Sequence, residues 1–371
     1  MKNIIFIFYI FLILNKSMNP RKIPSLPKKL KIGYASWNET DDKIFESVQN
    51  GLNVIIWFSI DMSSNAEKTK PEFTRGPNYT EVAKMIKRFK DNNYEVINLI
   101  SIGGWNSPHV NTQFTPEEYF SEWKEFNKKI TKEDYNFYGF DGIDWDIEGN
   151  SDKKSSINYF NFKELDIMGN FSQLLKKDGY IVSMAPAESY LDSSTDEFSL
   201  SLLYNYPEWE KECPDFNYHG RNAYAYLLAK YSVDTFDFIS VQLYEGYSHT
   251  LFKYKKNKQN FGIILYDLIN SFIEGFVVDF SKEENSGMGK EIIKIPKEKI
   301  VIGLANGWAG DRFLFVNEKN IVEGWNYLKE KNKDVRGIMF WDIADEGKIP
   351  NEENSCDKKP FYMAKILNNL L

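Results

Sequence analysis

Short apolar runs alternate with longer amphipathic stretches along most of the chain. Eight runs, at 30–35, 52–59, 96–102, 139–147, 181–185, 238–244, 300–305 and 337–341, have the length and the β-branched and aromatic content of buried strands. Between them apolar residues recur at helical spacing. Over 80–90, Val82, Met85, Ile86 and Phe89 fall along one side, and 116–130 opens with a Thr cap and Pro116 in its first turn. Helix-like patterns at 157–175, 221–231, 261–272, 318–329 and 361–371 continue the alternation. Eight strands alternating with helices predict an α/β fold, a closed (β/α)8 TIM barrel over 30–371. An open doubly wound sheet is the structural rival. Gly33-Tyr34-Ala35-Ser36-Trp37, after the first strand, lacks the glycine spacing of a phosphate loop.

The amino terminus departs from this pattern. Met1-Lys2-Asn3 is followed by an almost wholly apolar run to Leu14 and then by polar Asn15-Lys16-Ser17. That run is too short to span a bilayer comfortably and predicts a secretory signal over 1–17, with a buried first helix or strand as the alternative. Residues 18–29, rich in Pro and Lys, read as a flexible lead-in or pro-region. No later stretch is long and apolar enough to cross a membrane, so a secreted, extracellular protein is expected, with no membrane association once mature. The net charge of -7 argues against a nucleic-acid partner. Two cysteines, Cys213 and Cys356, exclude a disulfide scaffold and leave open whether they pair or stay as buried thiols. With 28 Phe, 22 Tyr and 9 Trp, the chain has aromatic rings beyond the needs of a core, and flat rings suit the apolar faces of sugars.

The chemistry concentrates at the fourth strand. Asp144, Asp146 and Glu148 stand at two-residue spacing, so a strand would present all three carboxyls on one face. Like charges held that close cannot all ionise freely, an arrangement kept for metal binding or acid chemistry. One strand offers no converging fourth ligand, and His109, His219 and His249 are scattered, so no metal and no other cofactor is expected. Other strand ends carry polar or aromatic residues: Ser101, Gly103, Gly104 and Trp105 on the third, Met184 on the fifth, Gln242, Tyr244 and Glu245 on the sixth, Trp341 on the eighth. In a barrel these all reach the C-terminal rim, where active sites lie.

Together these residues resemble glycoside hydrolase family 18, the chitinases. The family's acidic signature is matched by Asp141, Asp144, Asp146 and Glu148, its Ser-x-Gly-Gly motif by Ser101, Gly103 and Gly104, and further positions by Met184-Ala185-Pro186, Gln242, Tyr244 and Trp341. The resemblance implies an endochitinase acting on chitin or its oligosaccharides, as a monomer. Glu148 is implied as general acid and base, Asp146 as holder of the substrate acetamido group, Asp144 as its proton-sharing partner and Tyr244 as a hydroxyl on the acetamido oxygen. The nucleophile is then the substrate's own acetamido oxygen. Trp341, Gln242, Tyr34, Met184, Glu245 and Trp105 are implied on the substrate side, while Asp141, Ser101, Gly103 and Gly104 support the strands. The family commonly has Asn or Asp where Glu245 stands. The short stretch from Ala305 to Trp341 implies that an α+β insertion, which deepens the cleft in some members, is absent after strand seven. An open groove of that kind suits cutting inside a polymer. An endo-β-N-acetylglucosaminidase of the same family, or a chitin-binding lectin, are the alternatives; the lectins typically lose the last acid, present here as Glu148.

Overall fold

The structure is a computed structural model that describes residues 23–36, 41–62, 69–203, 222–310, 313–350 and 359–371. Eight parallel strands form its centre: β1 (Leu30–Ala35), β2 (Val54–Asp61), β3 (Ile97–Gly104), β4 (Gly142–Ile147), β5 (Ile181–Met184), β6 (Phe238–Gln242), β7 (Ile300–Ala305) and β8 (Gly337–Trp341). Each pairs with its sequence neighbours, and β1 pairs with both β2 and β8, which closes the sheet into a (β/α)8 barrel. Around it lie α1 (Asp41–Gln49), α2 (Tyr79–Asp91), α3 (Pro116–Ile130), α4 (Phe162–Lys177), α5 (Ala225–Tyr231), α6 (Phe261–Glu274), α7 (Glu318–Glu330) and α8 (Met363–Leu370).

Strand alternation sorts the apolar residues into two cores. Leu30, Ile32, Val54, Ile56, Ile97, Leu99, Ile181, Phe238, Val301 and Met339 fill the lumen. The opposite faces join the helices in a larger layer, where β4 contributes Ile143, Trp145 and Ile147 and α2 contributes Val82, Met85, Ile86 and Phe89. Because those three residues of β4 face the helices, Asp144, Asp146 and Glu148 face inward. The helix starts follow local chemistry. Thr115 and Glu118 form a capping box at α3, with Pro116 in the first turn, and Asn161 and Glu164 form another at α4.

Besides short helical turns, including one over 249–256, the predicted pattern lacks α1, a two-residue strand at Thr74–Arg75 paired to β2, and an antiparallel hairpin of Phe276–Asp279 with Lys290–Ile293 before β7. Between β7 and β8 the only α-helix among the described residues is α7, and no strand accompanies it, so the α+β insertion is absent there. The Pro- and Lys-rich lead-in is anchored over its described part. Ile23 and Leu26 pack on the lumen core, Arg336 Nη2 donates to the Pro27 carbonyl at 2.9 Å, and Lys29 pairs with Asp334 at 2.9 Å. The expected signal segment at 1–17, and Cys213, His219 and Cys356, lie outside the described residues. No helix among the described residues is long and apolar enough to cross a membrane.

Candidate active site

The lumen changes character towards its C-terminal end. Above the apolar layers, Ser101, Asp144, Ser183 and Ser240 are all fully buried. Asp144 lies in register with Ser101 on β3 and Ser183 on β5. Ser183 donates to Asp144 Oδ1 at 2.5 Å, and the Tyr34 hydroxyl donates to Oδ2. Burial pushes the Asp144 carboxyl up to about 6, and these two donors oppose the rise because they favour the charged form.

Asp146, one step higher, is 4 % exposed. It accepts from Gln242 Nε2 at 2.8 Å, and Gln242 Nε2 also donates to the Ala185 carbonyl at 2.7 Å. Asp146 and Glu148 are hydrogen-bonded to each other. Burial, then the charges of Glu148 and Asp144, hold the Asp146 carboxyl well above the usual carboxylate range. Burial pushes Glu148 up to about 7, against the hydrogen bonds from Asp146 and Gln242. Two touching carboxyls in a low-dielectric site share a proton, so the pair titrates as a unit.

The third strand makes room for this column. Gly103 lies opposite Asp146 with φ +107°, and a Cβ there would meet the Asp146 carbonyl oxygen at 2.7 Å. Gly104 instead accommodates the Phe58 ring, which a Cβ would meet at 2.3 Å. Asp141 stands off the inward column: its Oδ2 accepts from the Asn98 backbone N–H at 2.7 Å and ties the start of β4 to β3.

Asp146, Glu148, Gln242, Tyr244, Glu245, Trp105 and Trp341 line one cleft of about 610 Å³. Trp341 is stacked edge-on with Phe58 at 4.7 Å between ring centres and tilted against Tyr34 at 5.5 Å. Trp308 packs edge-on against Tyr244 and donates to the Trp341 carbonyl at 2.5 Å. Trp105, 43 % exposed, is held at the cleft edge by a 2.8 Å bond from Nε1 to Ser151. Tyr247 lines the same wall.

Two residues taken for the substrate side lie elsewhere. Met184 follows inward-facing Ser183, so alternation turns it outward; it is fully buried in the strand–helix layer, in register with Trp145. Tyr34 is 1 % exposed and sits below the cleft floor, spent on Asp144. Three supporting residues are absent from the sequence-based site. Ser183 had a signal, its inward position on β5. His109 and Tyr224 had none, because each arrives from a loop: His109 Nε2 donates to the Glu148 carbonyl at 2.9 Å, and the Tyr224 hydroxyl bonds the Ile147 N–H and carbonyl at 2.8 and 3.0 Å. Together they fix the backbone that carries the end of the acidic column.

No family model matches the chain, and no curated protein matches it by sequence. Solved structures do match. A family GH18 chitinase from Chromobacterium violaceum superposes with a TM-score of 0.56 at 17 % identity, over 86 % of this chain and 80 % of that one. A fungal endo-β-N-acetylglucosaminidase from glycosyl hydrolase family 18 gives 0.53 at 14 % identity, over 94 % and 99 %. The chitinase ChiC from Aspergillus fumigatus gives 0.52 at 15 % identity, over 88 % and 95 %. At these identities the likeness establishes the barrel: the fold of this chain is the one found in GH18 chitinases and in an endo-β-N-acetylglucosaminidase.

Proposed function

We propose that this protein is a glycoside hydrolase that cleaves β-1,4 linkages between N-acetylglucosamine units of chitin, with retention and with assistance from the substrate. The observation that carries the reading is the Asp146–Glu148 pair lining an aromatic cleft, with Glu148 pushed up to about 7 and therefore protonated in much of the population near neutrality. Glu148 donates its proton to the glycosidic oxygen as the bond to the anomeric carbon breaks. A positioned donor of this kind is worth about 10²–10⁴ in rate. The acetamido oxygen of the same sugar attacks that carbon and forms an oxazolinium ring, whose N–H is held by Asp146. Water then attacks the carbon, and the Glu148 carboxylate takes its proton. Tyr244 lines the same cleft, and its hydroxyl has no protein partner among the described residues, which leaves it for the acetamido oxygen. Trp341 supplies a floor for the sugar.

The same residues would serve cleavage of the chitobiose core of N-glycans, and one solved structure with this barrel carries the name endo-β-N-acetylglucosaminidase. Turnover of glycopeptides in preference to chitin oligomers would favour that reading. The Lys- and Asn-rich texture and the apolar amino-terminal run resemble a secreted chitinase of malaria-parasite ookinetes, and secretion is part of the proposal. The decisive experiment compares hydrolysis of chitin oligosaccharides by wild type and folded Glu148→Gln; unchanged turnover overturns the assignment. A chitobiose thiazoline, which mimics the oxazolinium, should inhibit. An enzyme that cuts substrate yet does not bind the thiazoline would exclude substrate assistance.

A further inference from the structure

Glu245 is the position at which the chain departs from the family pattern, and its surroundings differ from those of the other cleft carboxyls. Asp144 takes two hydroxyls and Asp146 takes an amide N–H. The Glu245 carboxyl is half-buried in the cleft wall and has neither a hydrogen-bond nor an ion-pair partner among the described residues. A half-buried carboxyl without donors is costly, and the charge of Glu148 nearby adds to the cost. A second unmet acceptor lines the same cleft. Gln242 is 2 % exposed, and while its amide nitrogen is engaged, its Oε1 has no partner. Lys153, the one lysine among the lining residues, is an exposed side chain of the loop after β4.

The cleft therefore presents a carboxyl and an amide oxygen that no described residue meets. A ligand that brings donors and positive charge would meet them and favour the charged form of Glu245, which burial and the nearby Glu148 disfavour. We propose that the cleft recognises a free ammonium on the sugar chain, held by Glu245, so that partially deacetylated chitin is its substrate class. This rests on the chitin-cleaving reading above. A glucosamine ammonium offers three N–H donors and one positive charge, which would satisfy Glu245 and offset its repulsion with Glu148. The sugar whose bond is cut must keep its acetyl group, because the acetamido oxygen is the nucleophile. The ammonium therefore belongs to an adjacent unit, and Glu245 follows Tyr244 directly in the chain, beside the acetamido-binding position.

The test uses chito-oligosaccharides of one length, either fully acetylated or carrying one glucosamine next to the cleaved unit, with wild type, Glu245→Gln and Glu245→Asp. Both Kd and kcat/KM are measured, at low and high salt. The ratio of affinities, glucosamine-containing over fully acetylated, is expected to fall about tenfold in Glu245→Gln, the scale of one charge-assisted contact. It should be largely kept in Glu245→Asp and weaken with salt in wild type. An equal loss on both oligomers in Glu245→Gln would assign Glu245 to a sugar hydroxyl and overturn the proposal, as would an unchanged ratio. Kd is read in the Glu148→Gln background, without turnover, so the two readings fail separately. A wild type that prefers the glucosamine oligomer yet cuts neither would support this inference and overturn the proposed reaction.

Discussion

Replacing Glu148 by Gln should abolish turnover and, at the same time, stabilise the folded protein at alkaline pH. An ordinary glutamate titrates near 4.5, whereas the buried Glu148 carboxyl titrates at about 7. Between those values the folded protein keeps a proton that the unfolded chain has released. Stability therefore falls as pH rises through this window, and the full cost is present above it. The gap, at roughly 1.4 kcal/mol for each pH unit, amounts to about 3 kcal/mol at pH 8. Gln has nearly the same shape and no charge to desolvate, so the variant escapes the cost. It also removes one of the charges that raise Asp146, an effect of the same sign. For a chain of 371 residues, an unfolding entropy of about 2.1 cal/mol/K per residue turns that figure into a Tm about 4 °C higher at pH 8. At pH 4 the wild-type carboxyl is itself protonated and the difference should close. Calorimetric unfolding of both proteins at pH 4 and pH 8, beside hydrolysis of chitin oligosaccharides, measures this directly. A variant no more stable than wild type at pH 8, or one stabilised equally at both pH values, would refute the reasoning.

Tyr34→Phe leaves Asp144 with Ser183 as its remaining hydroxyl donor, at a cost of about 1.5–3 kcal/mol. Because that hydrogen bond favours the charged form, the loss in urea unfolding should be larger at pH 8 than at pH 4; equal losses would mean the hydroxyl serves charged and neutral Asp144 alike. Gly103→Ala places a Cβ against the Asp146 carbonyl at a positive φ and should destabilise by about 1–3 kcal/mol while lowering kcat. Gly179→Ala, also at positive φ but with open space around it, is the control for backbone strain; similar effects of both on kcat would remove the close-approach argument. Met184→Leu, a volume-conserving change in the strand–helix layer, should cost under about 1.5 kcal/mol and keep kcat within about twofold. A tenfold fall in kcat would return Met184 to the cleft.

Much of the barrel was legible because its strands are single apolar runs and its longer helices bury one stripe, which local patterns record directly. The unpredicted elements have weaker signatures. The first helix, α1, is only nine residues, and the hairpin before β7 exposes Lys290, Glu291 and Ile292, so neither carries a buried run of useful length. At the site, period-two spacing was enough to place Asp144, Asp146 and Glu148 on one face, and the absence of that spacing set Asp141 apart. The same rule, applied to β5, would have turned Met184 outward and brought in Ser183.

What the sequence alone determined is therefore the column of carboxyls and the alternation of strands and helices that carries it, since both depend on residues close together along the chain. Only the tertiary structure decided what each carboxyl meets. Tyr34 and Ser183 reach Asp144 from β1 and β5, Gln242 reaches Asp146 from β6, and His109 and Tyr224 brace β4 from loops. Glu245 meets no donor among the described residues. Burial and partners set whether a carboxyl holds its proton, and both come from residues far apart in sequence, so closing the barrel is the step that turns three spaced acids into an unequal set.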